Sequence, residues 1–364
     1  MKIVRSTKCS IKEATQAKRD LLKAVLIEYG FVVNTFIKEF WLNCPKKSEL
    51  LKPVVDVPST WLSARLRKVA AREAIDMILS VKKRDEAGSM PVHHGNRMCV
   101  SSNIAGLQLA KQDGKFDFWL HLANIGNKII FDIPIKSHKH FNRLSLKGNR
   151  LESYVITNNY VQFAFEIETG SKKEPDKCIG IDTGINALAS LNNGQQFGLD
   201  IKNGIERIKR CKHGSKGQRK AVCALHQRMD EVAKEIVTNE NVSLVVVENL
   251  KNITQKTKNP KRRLGKNMRR TIGRWNVRYW FNRLQQQCES NRVSFRTVSA
   301  YKTSQRCSSC GHTDRGNRSQ ETFLCLNCGH TDNADVNAAK NILERFLTGP
   351  YGAGCKPMNS QVWL

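Results

Sequence analysis

The feature that most constrains this chain is a pair of Cys-x-x-Cys steps, Cys307-Ser308-Ser309-Cys310 and Cys325-Leu326-Asn327-Cys328, fourteen residues apart and each followed by a glycine. One such step offers two thiolates to a tetrahedral ion, and a second step closes the site. The spacing predicts a zinc ribbon over 301–331, with Cys307, Cys310, Cys325 and Cys328 as ligands. Four thiolates leave no open position, so the Zn²⁺ of this reading is structural. His312 and His330 each follow a knuckle glycine and read as polar knuckle surface. The eight remaining cysteines are scattered singly and read as reduced thiols.

Charge sets the class of partner. The chain has 61 Lys and Arg against 32 Asp and Glu, a formal charge of +29 over 364 residues. Self-repulsion on that scale opposes a compact state unless a polyanion offsets it, and a polyanion gains counterion-release entropy on binding. Nucleic acid is therefore the expected partner. A chain of this length exceeds what one hydrophobic core usually supports, so two or three domains are expected. The first residues lack the apolar core of a secretory signal, and no apolar run is long enough to span a bilayer.

Hydropathy patterning changes along the chain. Residues 11–41 carry dense apolar spacing of helical type, with Gly30 as a candidate break. Pro58-Ser59 supplies a start for a second helix, with Leu62, Leu66, Val69 and Met77 on one face and Arg65, Arg67, Lys68 and Arg72 on the other. From Phe116 the period becomes two, in strands near 116–122, 129–135 and 160–168, which predicts a small barrel or meander beside the helices. Beyond the linker-like stretch 170–175 the pattern resets. Strands are expected at 178–182, 187–191 and 195–198, then a helix near 217–237, a strand at 243–247, a helix through Val277, Trp280, Leu284 and Cys288, and a strand at 293–298. Three meandering strands followed by helix, strand, helix and strand is the order of an RNase H-like domain.

Within that order three acids stand out. Asp182 ends the first strand, Glu248 ends the fourth after three valines, and Asp335 opens the helix behind the ribbon. A lone Asp at a strand end is usually a turn former, and an acid in a helix's first turn is often a cap. A Glu that ends a buried strand, however, requires a partner. Hard divalent cations take oxygen ligands, and two such ions about 3.5–4 Å apart can activate water and stabilise a leaving phosphodiester oxygen. The three acids together, on so cationic a chain, predict a divalent-cation site and catalysis there. Lys251 to Arg274 contains ten basic residues and no acid, and Lys209-Arg210 with 212–220 forms a second basic cluster; both read as strand-guiding surface at the site.

The series Tyr301-x-Thr303-Ser304-Gln305-x-Cys307-Ser308-x-Cys310-Gly311, the second knuckle, and Asp335-x-Asn337-Ala338-Ala339-x-Asn341-Ile342 resembles the transposon-encoded TnpB proteins and their relatives, the miniature type V CRISPR effectors. Gly180-Ile181-Asp182-x-Gly184 and Val246-Val247-Glu248-Asn249-Leu250 extend the resemblance, which spans about 176–347. The resemblance implies an RNA-guided DNA endonuclease with one RuvC domain that binds a structured guide RNA and target double-stranded DNA. It implies two Mg²⁺ ions on Asp182, Glu248 and Asp335, and places Arg306 at the scissile phosphate. The implied layout is an N-terminal wedge-like β-barrel with a helical recognition lobe over 1–175 (helices about 11–90, strands about 115–168), RuvC over 176–300, the ribbon over 301–331, a last RuvC segment over 332–347 and a disordered tail over 348–364. A cytoplasmic, nucleoid-associated protein of a prokaryote or phage is expected. Two rival readings remain at this point: a transposase, and a non-cleaving DNA-binding or regulatory protein on the same fold.

Overall fold

The computed structural model describes residues 1–83, 88–110, 114–174, 176–239, 242–250 and 265–349. The basic stretch over 251–264 and the expected tail over 350–364 lie outside the described residues. The chain divides into two compact units, Lys2–Glu168 and Thr169–Leu364, the latter including Met1.

The first unit contains β1 (Lys2–Ser10), α1 (Gln16–Phe40), α2 (Lys52–Val55), α3 (Ala64–Lys82), β2 (Arg97–Ser101), β3 (Ala105–Leu109), β4 (Phe118–Leu122), β5 (Phe131–Ile135), α4 (Lys139–Lys147), β6 (Asn149–Thr157) and β7 (Tyr160–Glu168). The strands pair as two separate antiparallel sheets, β1-β7-β6-β2 and β3-β4-β5. Helix α1 buries Leu22, Val25, Leu26, Tyr29, Val33, Phe36 and Ile37, a stripe at three- and four-residue spacing. It runs unbroken through Gly30, which marks a crossing and not a break. A Cβ there would lie 2.5 Å from the Cα of Gly95, so the chain at 93–95 crosses directly over the helix. Helix α3 starts at Ala64, where the Ser63 hydroxyl accepts the Leu66 N–H. Its Arg67 is held by Asp56 and by the Leu62 carbonyl.

In the second unit β8 (Cys178–Asp182), β9 (Ala189–Leu191) and β10 (Gln196–Phe197) form an antiparallel meander. Then come α5 (Ile201–Arg210), α6 (Lys216–Asn239), β11 (Leu244–Glu248), α7 (Lys266–Trp275), α8 (Val277–Ser290) and β12 (Ser294–Val298). The sheet order is β10-β9-β8-β11-β12, with β11 parallel to both β8 and β12. Three short strands follow, β13 (Arg318–Ser319), β14 (Thr322–Leu324) and β15 (Thr331–Asn333), and the last helix is α9 (Ala334–Thr348).

Both faces of this sheet are covered, which explains the aliphatic run in β11. Val245 and Val247 join Ile179 and Ile181 in a core with Met229, Trp280 and Leu284. Leu244 and Val246 lie on the other face with Val298 and Ile342 of α9. Helix α9 seats closely on β8: a Cβ on Gly180 would fall 2.3 Å from the Ala339 carbonyl oxygen and 2.8 Å from the Leu343 Cβ. Only glycine allows that approach. Gly180→Ala is expected to destabilise the chain by about 1–3 kcal/mol, as overpacking does. Gly273→Ala, in α7 with nothing within 4 Å of the added carbon, is expected to be neutral or slightly stabilising. Urea denaturation of the two variants side by side checks this.

Candidate active site and cysteine cluster

The period of two along a strand decides where the acids point. On β11, Glu248 shares a face with Leu244 and Val246, the side covered by α9. On β8, Asp182 shares a face with Gly180, against which α9 is seated. The parallel register pairs Val247 with Ile181, so Glu248 and Asp182 are neighbours at the carboxyl ends of adjacent strands. Asp335 is the second residue of α9, whose cap Asn333 accepts the N–H groups of Asp335 and Val336 at 2.9 and 3.2 Å. Its Oδ2 lies 3.9 Å from where a Cβ on Gly184 would be, over the turn that follows β8. The structure thus brings all three sequence-expected acids to one place, each of them half-buried.

Their electrostatics reflect the proximity. Asp182 is held well above the usual carboxylate range, first by burial and then by the negative charges of Glu248 and Asp335. Glu248 is also raised, by burial, against a hydrogen bond from the Thr303 hydroxyl and the positive charges of Arg345 and Arg318. Arg318 is the residue that the sequence reading missed. Its Nη2 sits 2.7 Å from Asp335 Oδ1, and its charge also opposes the raised pKa values of Asp182 and Glu248. It is supplied by β13, between the two knuckles, and no spacing rule marks it. Trp280 of α8 closes the opposite side, with Nε1 donating to the Thr183 hydroxyl at 3.4 Å.

Arg306 does not join this group. Its guanidinium pairs with Glu344 at 2.7 and 3.1 Å and donates to Asn341 Oδ1 at 3.1 Å. Its carbonyl accepts from the amides of Asn337 and Asn341. Asn341 also donates to the Thr303 carbonyl at 3.0 Å, the Asn337 side chain accepts the Ser308 N–H at 2.9 Å, and Arg345 donates to the carbonyls of Ser299 and Tyr301. Asn337, Asn341 and Arg345 recur every four residues on the buried side of α9, forming a polar spine that clasps the chain leading into the first knuckle.

The four cysteine sulfurs all lie within 4.8 Å of one another, with Cys307 to Cys328 at 3.8 Å and Cys310 to Cys325 at 3.5 Å. A tetrahedral ion with metal–sulfur bonds near 2.3 Å requires sulfurs about 3.8 Å apart, so the cluster fits one zinc. The two knuckles are built alike. The Cys307 N–H donates to the His312 carbonyl and the Cys325 N–H to the His330 carbonyl, while Gly311 and Gly329 turn with φ of 77° and 70°. Cys310 is pushed down to about 6, first by the backbone of His312, which favours the thiolate that a metal needs. The three carboxylates are set wider: among the described residues, no set of acidic oxygens falls within the same span.

A mixed α/β chain with parallel strands ending in acids, and a four-cysteine cluster joined to the helix that carries a third, is the arrangement that the sequence resemblance implies. Comparison with known proteins agrees. Residues 279–342 match the family described as Cas12f1-like, TNB domain, which takes in the cysteine cluster and the first part of α9. The chain is 27% identical over 213 residues to the putative RNA-guided DNA endonuclease InsQ of Escherichia coli (strain K12), covering 50% of this chain and 53% of that protein. It therefore spans about half the length of that curated relative. In fold it is similar to Cas12f1 in its complex with sgRNA and target DNA, with a TM-score of 0.56 at 14% identity over 90% of this chain and 83% of that one. It is also similar to CasPhi-2 (Cas12j) bound to crRNA and phosphorothioate-DNA, with a TM-score of 0.52 at 12% identity over 96% and 92% of the two chains. The resemblance carried by the sequence motifs is thus shown.

Metal analysis of the purified protein is expected to return about one zinc per chain. Cys325→Ser should lose the metal and lower the unfolding midpoint, whereas Cys223→Ser, at an exposed thiol outside the cluster, should change neither.

Proposed function

We propose that this chain is an RNA-guided DNA endonuclease. In this reading Thr169–Leu364 carries a RuvC-type, RNase H-like nuclease, and Lys2–Glu168 does the work of a wedge and recognition lobe. The observation that carries it is the convergence of Asp182, Glu248 and Asp335 at one end of a parallel strand pair, close enough that the charges of Glu248 and Asp335 raise the affinity of Asp182 for protons. A chain with a charge of +29 that gathers three acids in one half-buried place has built a cation site. The acid set is pure oxygen, which suits Mg²⁺, and a pair of ions there is what the family resemblance implies. Bound there, Mg²⁺ would supply the charge that activates water and stabilises the departing oxygen of a phosphodiester. Guide RNA and target double-stranded DNA are the partners of this reading, with sequence chosen by base pairing and not by the protein.

The chain's own residues divide the remaining work. Thr303 orients Glu248 through its hydroxyl, and Arg318 holds Asp335 while offsetting negative charge at all three acids. Arg318 is also placed to meet the negative charge of an arriving phosphate, the role first expected of Arg306. We assign Arg306 instead to fixing the ribbon against α9 through Glu344. Zn²⁺ on the four cysteines then keeps Arg318 and Asp335 in register, since β13 and β14 lie between the knuckles and β15 leads into α9.

Asp182→Ala is expected to abolish cleavage of a guide-matched DNA while leaving the amount of co-purified RNA unchanged. Cleavage at the original rate would sink the assignment, and redirection of cutting by a substituted guide separates this reading from a transposase. The raised pKa of Asp182 adds a stability signature. A carboxyl whose folded pKa lies above its unfolded value stabilises the fold when protonated, and that contribution is lost as pH rises through the folded pKa. Asp182→Asn should therefore raise the melting temperature of the metal-free protein at neutral pH, by about 2–4 °C for an effect of about 1 kcal/mol. The gain should shrink on acidification.

A further inference from the structure

We propose that the α5–α6 corner is a second nucleic-acid contact, a sequence-independent grip on the phosphate backbone of a double helix. Helix α5 ends at Arg210 and α6 begins at Lys216, with Gly214 in the turn at φ 73°. Residues 207–220 contain seven Lys and Arg and no Asp or Glu. Lys209 is paired with Glu206 at 3.2 Å. The other six, Arg207, Arg210, Lys212, Lys216, Arg219 and Lys220, are all exposed and have no ion-pair partner among the described residues.

This is no loose fringe of charge. Ile201, Ile205 and Ile208 anchor α5 in the core, and Leu225 of α6 packs onto Gly204, so two seated helices hold the cations outward. An ordinary surface mixes both signs, and six unpaired like charges on one corner repel unless an anion lies across them.

The composition of the corner selects the kind of anion. Grips on single strands combine charge with aromatic rings on which unstacked bases lie. No Phe, Tyr or Trp occurs between Gly198 and Asn239, so apart from the small imidazole of His213 the corner has charge without a ring to receive a base. A double helix keeps its bases stacked inside and offers phosphates at fixed spacing, which is what rigidly mounted Arg and Lys side chains match. The corner therefore positions a duplex and reads no sequence. Only the identity of that duplex, DNA or an RNA–DNA hybrid, rests on the nuclease reading above.

The test uses the full chain with its co-purified RNA and no added Mg²⁺, titrated against labelled DNA duplex, RNA–DNA duplex and single-stranded DNA, all unrelated in sequence to that RNA, across a KCl series. The variant replaces Arg207→Gln, Arg210→Gln, Arg219→Gln and Lys220→Gln together. At least one duplex should bind more weakly, and the slope of log K against log salt should fall by about 0.9 per lost contact, or about 3–4 in all. Single-strand binding should stay as it was. The charge-preserving set Arg207→Lys, Arg210→Lys and Arg219→Lys should retain the duplex slope. Unchanged binding and slope for both duplexes overturns the proposal, and so does an equal loss for the single strand. Whichever duplex responds names the source of the backbone. Because the readout is binding without cleavage, its failure is distinct from failure of the Asp182→Ala test.

Discussion

The contact on which the second unit depends is the seating of α9 on Gly180. A helix backbone that approaches a strand within the volume of one missing Cβ leaves almost no freedom in its height above the sheet. That height fixes Asp335, which leaves α9 in its first turn and must reach the strand ends carrying Asp182 and Glu248. The same helix turns a second buried face toward the ribbon. Asn337, Asn341 and Arg345 there donate to the backbone carbonyls of Ser299, Tyr301, Thr303 and Arg306. One helix therefore couples the four-cysteine cluster to the acidic site, through glycine on one side and amides on the other. A buried polar network of this kind specifies one arrangement because each unmade bond would be costly.

The acidic site shows the opposite economy. Burial holds both Asp182 and Glu248 above their usual range, and the negative charges of Glu248 and Asp335 raise Asp182 further, so the fold maintains them against a cost. Arg318 offsets part of that cost, but one guanidinium faces three carboxylates. Sites left short of positive charge in this way are those that receive it from a ligand. The remedy is local: the chain's excess of cations lies elsewhere, and the six unpaired side chains at the α5–α6 corner repel one another as the acids do. Two frustrations of opposite sign on one unit would each be relieved by a different partner, a cation in one place and a polyanion in the other.

How much of this was legible depended on which residues carried the signal. The sheet of the second unit was read nearly strand for strand, because its aliphatic runs are bounded by Gly184, Asn192-Asn193-Gly194 and the acids themselves. The alternation on β11 even fixes the face of Glu248. Helix α5 was missed despite Ile201, Ile205 and Ile208 at helical spacing, because Gly204 and the dense charge around it masked the stripe. In the first unit β1 escaped notice: its buried positions are Ile3, Thr7 and Cys9, too weak an apolar alternation to stand out, and its place comes from nine paired residues along β7. Arg318 and the commitment of Arg306 to Glu344 were beyond sequence reasoning. Both depend on which way a guanidinium turns once distant segments meet.

Arg306 and Arg318 show why chain position alone does not assign a role. Both flank the first knuckle, and Arg306 directly precedes Cys307 within the motif that carried the family resemblance. Yet Glu344 and Asn341 hold its guanidinium along α9, while the β13–β14 hairpin turns Arg318 toward the acids. The difference follows from what each segment is tied to. Residue 306 is clasped through its carbonyl by the spine of α9, which also receives its guanidinium; residue 318 is held by a two-residue strand pairing, and its guanidinium spans the Gln320 carbonyl and Asp335.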